Sequence, residues 1–594
     1  MGLANLDRPD SEHPGADRGE RALDTLDRGA LDRALALLQE RKARWARLPI
    51  ADKIRYLEEV RSLVLRHADA WVAAGVALKS LPPDSPLVGS EEWIAGPYPT
   101  VAWLTDVIRT LEAIRTGREV VDGVAVRTIP HGHAGGGQVV AWVLPTTLYD
   151  RLLLSGYDLD VWMQPGVTEE NLRDTIGVFY RQVDPPGRVT LVLGAGNVSA
   201  IPMLDTLYSL VADGAVVILK MSPVNQDYGP VFEKILTPLI RDGYVQLVYG
   251  GADVGEYLVG HDLVEAVHVT GSERTYAAIL AGVGTDAAGQ PGKPVRAELG
   301  GVGPTIIIPG PWTDADIAYQ AEHLATQKLH TSGHTCVASQ VLVLPAGWNR
   351  THDLIAALRQ ALSAAPERPS FYPGTAEKQA AFRAENPTAE ALPTQQERTL
   401  LVGVDPRSDH AAFRTELFGP MYVTTSLPGG RADDDVVGYL RAAVEFANDK
   451  LHGNLGANLI VHPETARRLG PALDEAITEL RYGCVGVNAW SGYVFLASRG
   501  AWGAYPGNTP GDIQSGIGVV HNSLLFDKPH KNVIRAPFRP FPRSARHLHR
   551  TFAVKPPWFV TNRTALATAR QLTRFAAEPR PQALLGLFAS ALRG

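Results

Sequence analysis

Cys336 stands in the string His330-Thr-Ser-Gly-His-Thr-Cys336, after a glycine turn rather than inside an apolar run. A lone cysteine is most often a small buried hydrophobe. On a glycine turn its thiol meets unpaired backbone amides that favour the thiolate, which makes Cys336 a candidate nucleophile. Glu298 precedes two glycines in Glu298-Leu-Gly-Gly301. It reads either as a solvated turn residue or as a general base toward water. Asn197 follows Gly194-Ala-Gly196 directly after a strand-like run. It is either a turn asparagine or an amide donor at the carboxyl edge of a sheet, where open α/β folds bind ligands.

A second group suits a phosphate-bearing ligand. Lys220 ends the apolar run AVVILK; there it is a solvated strand cap or it reaches sugar hydroxyls. Gly250-Gly-Ala-Asp-Val-Gly255 and Thr270-Gly-Ser272 each join a strand to a helix, and the free amides of such junctions favour phosphate. Gly251, Gly255, Gly271 and Ser272 are therefore candidate binding positions. The histidines form no convincing ligand cluster, so no metal site is expected.

These residues must be positioned by parallel strands. VTLVL, AVVILK, VQLVYG and AVHVTG alternate with helical stretches, the pattern of a nucleotide-binding α/β domain. PTIIIP, VLVLP, MYVTTSL, NLIVH and CVGVN mark a second α/β region from about 298 to 490, with Cys484 as a structural strand residue. Helical spacing runs from Leu31 to Val76, with Asp52 as a candidate cap. Residues 119–129 and 138–144 read as a hairpin around a His/Gly-rich turn. Thr168-Glu-Glu170 predicts a helix start for a segment ending near Phe179.

At 594 residues the chain exceeds a single core, and two or three domains are expected. Its formal net charge of -6 does not point to nucleic acid. Two cysteines provide no disulfide framework and suit a reducing compartment, the cytoplasm. Residues 1–28 read as disordered, without the apolar core of a signal peptide. From His521 onward, thirteen Lys or Arg face only Asp527 and Glu578. Trp558, Phe559, Arg563, Arg570, Arg574 and the final LLGLFASALRG read as a cationic tail. That tail either wraps a neighbouring acidic surface or makes peripheral contact with an anionic membrane.

Taken in order, Asn197, GAVVILK ending at Lys220, Gly251 to Gly255, Val269-Thr-Gly-Ser272, Glu298-Leu-Gly-Gly301, Gly333-His-Thr-Cys336, Glu416-Leu-Phe418-Gly-Pro420 and Ser515-Gly-Ile-Gly518 resemble the aldehyde dehydrogenase superfamily. The resemblance covers roughly residues 45 to 535. It implies an α/β fold with a Rossmann-type cofactor domain over 29–297, an α/β catalytic domain over 298–490, and a return of the chain to the cofactor and oligomerisation region over 491–535. It also implies an oligomerisation hairpin over 119–144, paired with a late strand at Lys531-Asn-Val-Ile-Arg535, an insertion over 145–182 covering the substrate opening or a subunit contact, and a basic extension over 536–594.

By the same resemblance, Cys336, Glu298 and Asn197 are catalytic. Lys220 and Glu416 bind the ribose hydroxyls of NAD or NADP, Phe418 packs nearby, and Ser272 sits at the pyrophosphate. The implied activity is oxidation of an aldehyde by a homodimer or homotetramer. Two alternatives stay open: an acyl-CoA reductase forming an aldehyde, suggested by Gly196-Asn-Val-Ser-Ala-Ile-Pro202, and a non-catalytic relative. Pro223 replaces the family's usual glutamate and leaves NADP open. Tyr276 replaces a fingerprint glycine, and His334 either tunes the thiolate or packs.

Overall fold

The computed structural model describes residues 27–130, 137–284, 290–394, 397–429, 435–547 and 551–594. The disorder expected over 1–28 and the His/Gly turn at 131–136 fall almost wholly outside them. Arg28 already begins the first helix, Arg28–Ala46, which Asp27 caps.

Two large sheets organise the described residues, beside a two-stranded ribbon of Trp502–Gly503 and Val519–Val520. The smaller has six strands in the order Gly516–Ile517, Val295–Leu299, Ala266–Gly271, Val189–Leu193, Val216–Lys220 and Val245–Val248. Five run parallel, and Gly516–Ile517 pairs antiparallel with Val295–Leu299. Strand order reverses beside Val189–Leu193, so the crevice rule for open α/β sheets places a ligand at the Gly194–Asn197 turn.

The larger sheet has eleven strands. Its parallel centre is Cys484–Val487, Gly456–Ile460, Gly303–Ile307, Ser339–Pro345, Met421–Leu427 and Arg398–Val404. Pro529–Arg535 lies beside Cys484–Val487, which confirms Cys484 as a strand residue. All nine quoted strand motifs form strands; most are apolar runs buried on both faces, and the edge strand Val245–Val248 is half-buried.

Several local expectations are corrected. Strand structure in the first arm of the hairpin begins only at Ala125; residues 119–124 form turns, with Gly123 at φ +76°. Ala125–Ile129 and Gln138–Leu144 do pair antiparallel. Their late partner does not touch them directly, however: Asp158–Met163 stands between Gln138–Leu144 and Pro529–Arg535. Part of the expected insertion is thus an integral strand. The helix expected from Thr168 is two 3-10 turns, Leu172–Thr175 and Val178–Arg181. Thr168 and Asn171 bond each other's backbone amides, an alternative to helix, and Gly177 at φ +59° separates the turns. Pro49, not Asp52, occupies the cap of Ile50–Leu78; Asp52 lies in its first turn.

The basic tail folds back onto the chain. Trp558 and Phe559 are buried, which removes them as surface anchors. Helix Ala565–Ala577 packs on Pro97–Thr116 and Val88–Trp93, so closely that a Cβ on Gly89 would lie 2.0 Å from the Leu566 nitrogen. Arg570 pairs with Asp69 at 2.8 Å and lies over the Trp93 ring. No helix among the described residues is long and apolar enough to cross a membrane.

Asp316 anchors the start of this extension. Its carboxylate caps helix Asp314–Leu329 through Thr313 and receives Arg539 at 2.6 and 2.7 Å, with Arg543 alongside. Burial alone would raise its pKa, but Arg539 and the Thr313 bonds hold it down at about 2. Its contribution to stability is therefore complete above the ordinary carboxylate range and lost as pH falls through about 2. Asp316→Ala leaves buried Arg539 without its charge partner and is expected to cost about 3–5 kcal/mol. Denaturant titration at pH 7 checks this, and a loss under about 1 kcal/mol, the scale of an exposed pair, would refute it.

Candidate active site

One cleft of about 1390 Å³ opens between the two sheets. Asn197, Lys220, Gly251, Gly255, Gly271, Ser272, Glu298, Cys336, Glu416 and Phe418 all line it. Those of the smaller sheet lie at or beyond strand ends or in the first turns of helices, whereas Cys336, Glu416 and Phe418 lie just before the strands Ser339–Pro345 and Met421–Leu427. Residues separated by more than two hundred positions share this space because the carboxyl ends of the smaller sheet's parallel strands meet loops at the amino ends of the larger sheet's strands.

The loop before Cys336 is strained by construction. Thr331 at φ +53°, Ser332 at φ +57° and Gly333 at φ +78° are successive left-handed residues; for a β-branched threonine this is rare and costs about 1–3 kcal/mol. Glycine is required at 333, where a Cβ would lie 2.4 Å from the Gly419 carbonyl oxygen. From Leu324 to Pro345 every residue is buried except Cys336, which alone opens to the cleft. The Asn197 Nδ2 donates to the His334 carbonyl at 2.9 Å, two residues before the sulfur. His334 itself packs: it bonds Thr331 and Thr375 and is boxed by Phe371, Tyr372 and Phe418.

The thiolate expectation is corrected for the resting protein. Burial, then the charges of Glu298 and Glu416, pushes the Cys336 thiol well above its ordinary range, outweighing its backbone hydrogen bond. Burial and the Asp205 charge raise Glu298 to about 7, while His521 and Trp502 act the other way. The Trp502 indole N–H donates to Glu298 Oε1, leaving Oε2 without a partner among the described residues.

Behind Glu298 lies a polar knot that the sequence reading missed. Asp205 receives His268 Nε2 at 3.1 Å, His521 Nε2 at 3.2 Å and the Thr270 hydroxyl at 3.0 Å, all in the interior. Burial works against ionised Asp205, but the two imidazoles outweigh it and hold the carboxyl far below its usual range. An aspartate inside the otherwise apolar helix Ala200–Ala212 was the available signal, since a buried acid needs partners. Asp205, Glu298 and His521 present one atom each within 4.8 Å of one another, a spacing that also admits a metal ion. The hydrogen bonds to Asp205 engage it and His521 without one.

The rest of the cleft fits a dinucleotide. Helices Ala252–Gly260 and Glu273–Val283 start at Gly251 and Ser272, where the Ser272 hydroxyl accepts from Thr275 N–H. Lys220 is buried, not a solvated cap, and burial lowers it to about 8. Gln340 fixes the segment before Phe418 by accepting from Leu417 N–H at 2.8 Å and donating to Ala412 and Thr415 carbonyls. Glu416 lies against Gly300, whose added Cβ would sit 2.1 Å from its Oε1, and burial raises its pKa to about 8. Tyr276 is buried and does not line the cleft, so its ring does not obstruct the Ser272 junction.

Cys336 thus opens into a cleft between the six-stranded sheet and the larger sheet. Residues 167–383 match the model of the aldehyde dehydrogenase family. Aldehyde dehydrogenase family 3 member A2 of Macaca fascicularis is 24% identical over 189 residues, 32% of this chain and 37% of that protein. N-succinylglutamate 5-semialdehyde dehydrogenase of Novosphingobium aromaticivorans is 30% identical over 163 residues, 27% and 33% of the two chains. The matched stretch thus spans little more than a third of these relatives. The crystal structure of indole-3-acetaldehyde dehydrogenase with NAD+ superposes with a TM-score of 0.54 at 16% identity, covering 85% of this chain and 88% of that one. Over this stretch the chain is similar to the aldehyde dehydrogenase family, and its fold is that of the solved aldehyde dehydrogenases.

Gly255 provides a test of the cleft. It lies inside a helix, where alanine is better by about 0.5–1 kcal/mol, yet nothing in the protein lies within 4 Å of the Cβ it lacks. Gly255→Ala is expected to raise Tm slightly and to weaken NADH binding severalfold, read by nucleotide fluorescence. Unchanged binding would mean that no dinucleotide approaches this face.

Proposed function

We propose that this protein oxidises an aldehyde to a carboxylic acid with NAD or NADP, through a covalent intermediate on Cys336. The observation that carries this reading is the meeting of Cys336, Asn197 and Glu298 in the cleft that also holds the glycine-lined helix starts and Lys220. Lys220 and Glu416 would bind ribose hydroxyls, Ser272 and Gly251 would meet the pyrophosphate, and Phe418 would pack beside the nicotinamide ribose. When bound, the nicotinamide supplies a hydride acceptor.

The Cys336 thiol gives up its proton to solvent as Sγ adds to the aldehyde carbon, and Glu298, near half ionised at neutral pH, serves the later hydrolysis. The carbonyl oxygen becomes an oxyanion, met by the Cys336 backbone N–H and by the Asn197 amide once it leaves His334. One such donor is worth about 2.7–4 kcal/mol of barrier. Hydride departure leaves a thioester on Cys336. Glu298 then removes a proton from water, hydroxide adds to the thioester carbonyl, and the C–S bond breaks to release the acid. A base in this position favours hydrolysis over thioester transfer. The exposed edge strand Ala125–Ile129 is the proposed contact in a homodimer or homotetramer, since unpaired edges pair with other chains. Two free cysteines support a reducing compartment, the cytoplasm.

Absorbance at the reduced-nicotinamide band tests the reading, with aldehydes offered alongside NAD and then NADP. Cys336→Ala is expected to abolish cofactor reduction. Glu298→Gln is expected to retain a first burst of reduction but to lower steady turnover about 10²-fold or more, with acyl-enzyme visible by mass spectrometry. Because the Glu298 pKa is raised to about 7, wild-type deacylation should climb as pH rises through that value. Silence toward aldehydes, with acyl-CoA-dependent oxidation of reduced cofactor, would replace this reading by the reductase.

A further inference from the structure

A cavity of about 180 Å³ lies against the loop that precedes Cys336 and shares no lining residue with the cleft. Ser332, left-handed at φ +57°, lines it with Arg368, Ser370, Ala376 and Arg398. Pro420 lines it too, directly after Gly419, whose carbonyl oxygen leaves room only for glycine at 333. Ser370 and Ala376 are exposed and mark the mouth, whereas Ser332, Arg368 and Arg398 are buried.

Arg368 is 4% exposed. Its Nη1 donates to Glu91 Oε2, and its face lies over the Phe371 ring at 5.8 Å. Its Nε and Nη2 have no partner among the described residues. These two nitrogens form the side edge of the guanidinium, which can take both oxygens of one acid. Arg539 and Arg359 use that same edge on Asp316 and Glu390. A buried donor without an acceptor costs about 1–3 kcal/mol, so an unpartnered edge of two charged donors calls for an oxyanion. Ser332 is 7% exposed, and among the described residues its hydroxyl has no hydrogen-bond partner either.

The charges of the wall suit an anion. Its acid, Glu397, pairs with Arg383. Arg398 spends Nη1 and Nη2 on the Leu362, Ala365 and Pro366 carbonyls, and Glu367, outside the wall, offsets part of its charge. Donors from the Arg368 edge and the Ser332 and Ser370 hydroxyls come from separate segments, which matches a tetrahedral anion better than a planar carboxylate. The space holds such an anion with a few waters of ~30 Å³ each.

The cavity is also coupled to the loop. Burial, then the Arg368 charge, keeps His334 neutral with its pKa down at about 3, two residues before the sulfur. His330 Nε2 lies 3.0 Å from the Ser90 carbonyl oxygen, next to Glu91. An added anion here joins Glu298 and Glu416 in opposing the thiolate of Cys336.

We propose that this cavity is an effector site for a tetrahedral oxyanion, the phosphate ion or the phosphate of a monoester, which binds the side edge of Arg368 and the Ser332 hydroxyl and lowers the reactivity of Cys336. Neither the site nor its coupling depends on the dehydrogenase reading.

Calorimetry on the full chain with inorganic phosphate, at constant ionic strength in a buffer free of other oxyanions, tests the site. Saturable binding is expected in the wild type. Arg368→Lys keeps a cation for Glu91 but loses the two-donor edge, and should weaken binding about tenfold or more. Ala376→Glu places a carboxylate at an exposed wall position in the first turn of helix Thr375–Glu385; it should weaken binding as much, and serves if the lysine variant does not fold. Acetate should bind at least tenfold more weakly than phosphate. Glycerol 3-phosphate separates the two sources, the tighter of ester and free anion being the ligand. Alkylation of Cys336 by iodoacetamide, followed by mass spectrometry, should slow about threefold or more with phosphate in the wild type and not in either variant. No saturable phosphate binding in the wild type, binding unchanged by both variants, or acetate binding as tightly as phosphate overturns the site. Alkylation indifferent to bound phosphate overturns its coupling to Cys336.

Discussion

Gly300, Gly301 and Val302 carry the chain from the last parallel strand of the smaller sheet, Val295–Leu299, into Gly303–Ile307, the first strand of the larger sheet's parallel centre. The close approach at this crossover constrains everything chemical around it. A Cβ on Gly300 would enter the Glu416 carboxylate, and one on Gly301 would lie 2.9 Å from the Ser515 hydroxyl and 3.0 Å from the Gly453 Cα. Ser515 locks the passage: its hydroxyl donates to the Gly300 carbonyl at 2.9 Å and accepts from Asn454 N–H at 2.8 Å. With the two sheets joined so tightly, a residue at the end of the first sheet faces a loop of the second across a short gap. Glu298 and Cys336 are that pair.

Burial then determines where protons reside. Desolvation opposes the thiolate at Cys336 and the carboxylates at Glu298 and Glu416, and opposes the cation at Lys220. The exception is Asp205, where two imidazoles overcome desolvation and keep a charge in the interior. That fixed charge is itself one of the influences raising Glu298. The polar knot behind Glu298 thus helps to place its pKa near neutrality, where a carboxylate can both accept and release a proton.

The extension and the segment before Met163 are structural parts rather than appendages. Asp158–Met163 is an inner strand of the larger sheet. The extension is tied down by the Asp316–Arg539 pair at its start and by helix Ala565–Ala577 lying on Gly89 at its end. Tyr149 packs on Phe575 and Tyr157 on Trp558, while most of the extension's arginines, Arg539 apart, stay at the surface.

By itself the sequence determined the two α/β regions and every quoted central strand, because apolar runs buried on both faces admit little else. It also marked the ten cleft residues, since glycine turns after strands and polar side chains at strand ends are local features. What it could not decide depends on partners far along the chain. The helix expected from Thr168 gave way to turns once Ile176 bridged Phe526. The state of Cys336 reversed because its desolvation comes from surrounding elements, not from its own loop. Asp205, His268, His521 and Trp502 come from four separated segments, and only the closed tertiary structure gathers them behind Glu298. Hydrophobic periodicity is local, whereas burial and electrostatic pairing are properties of the assembled interior.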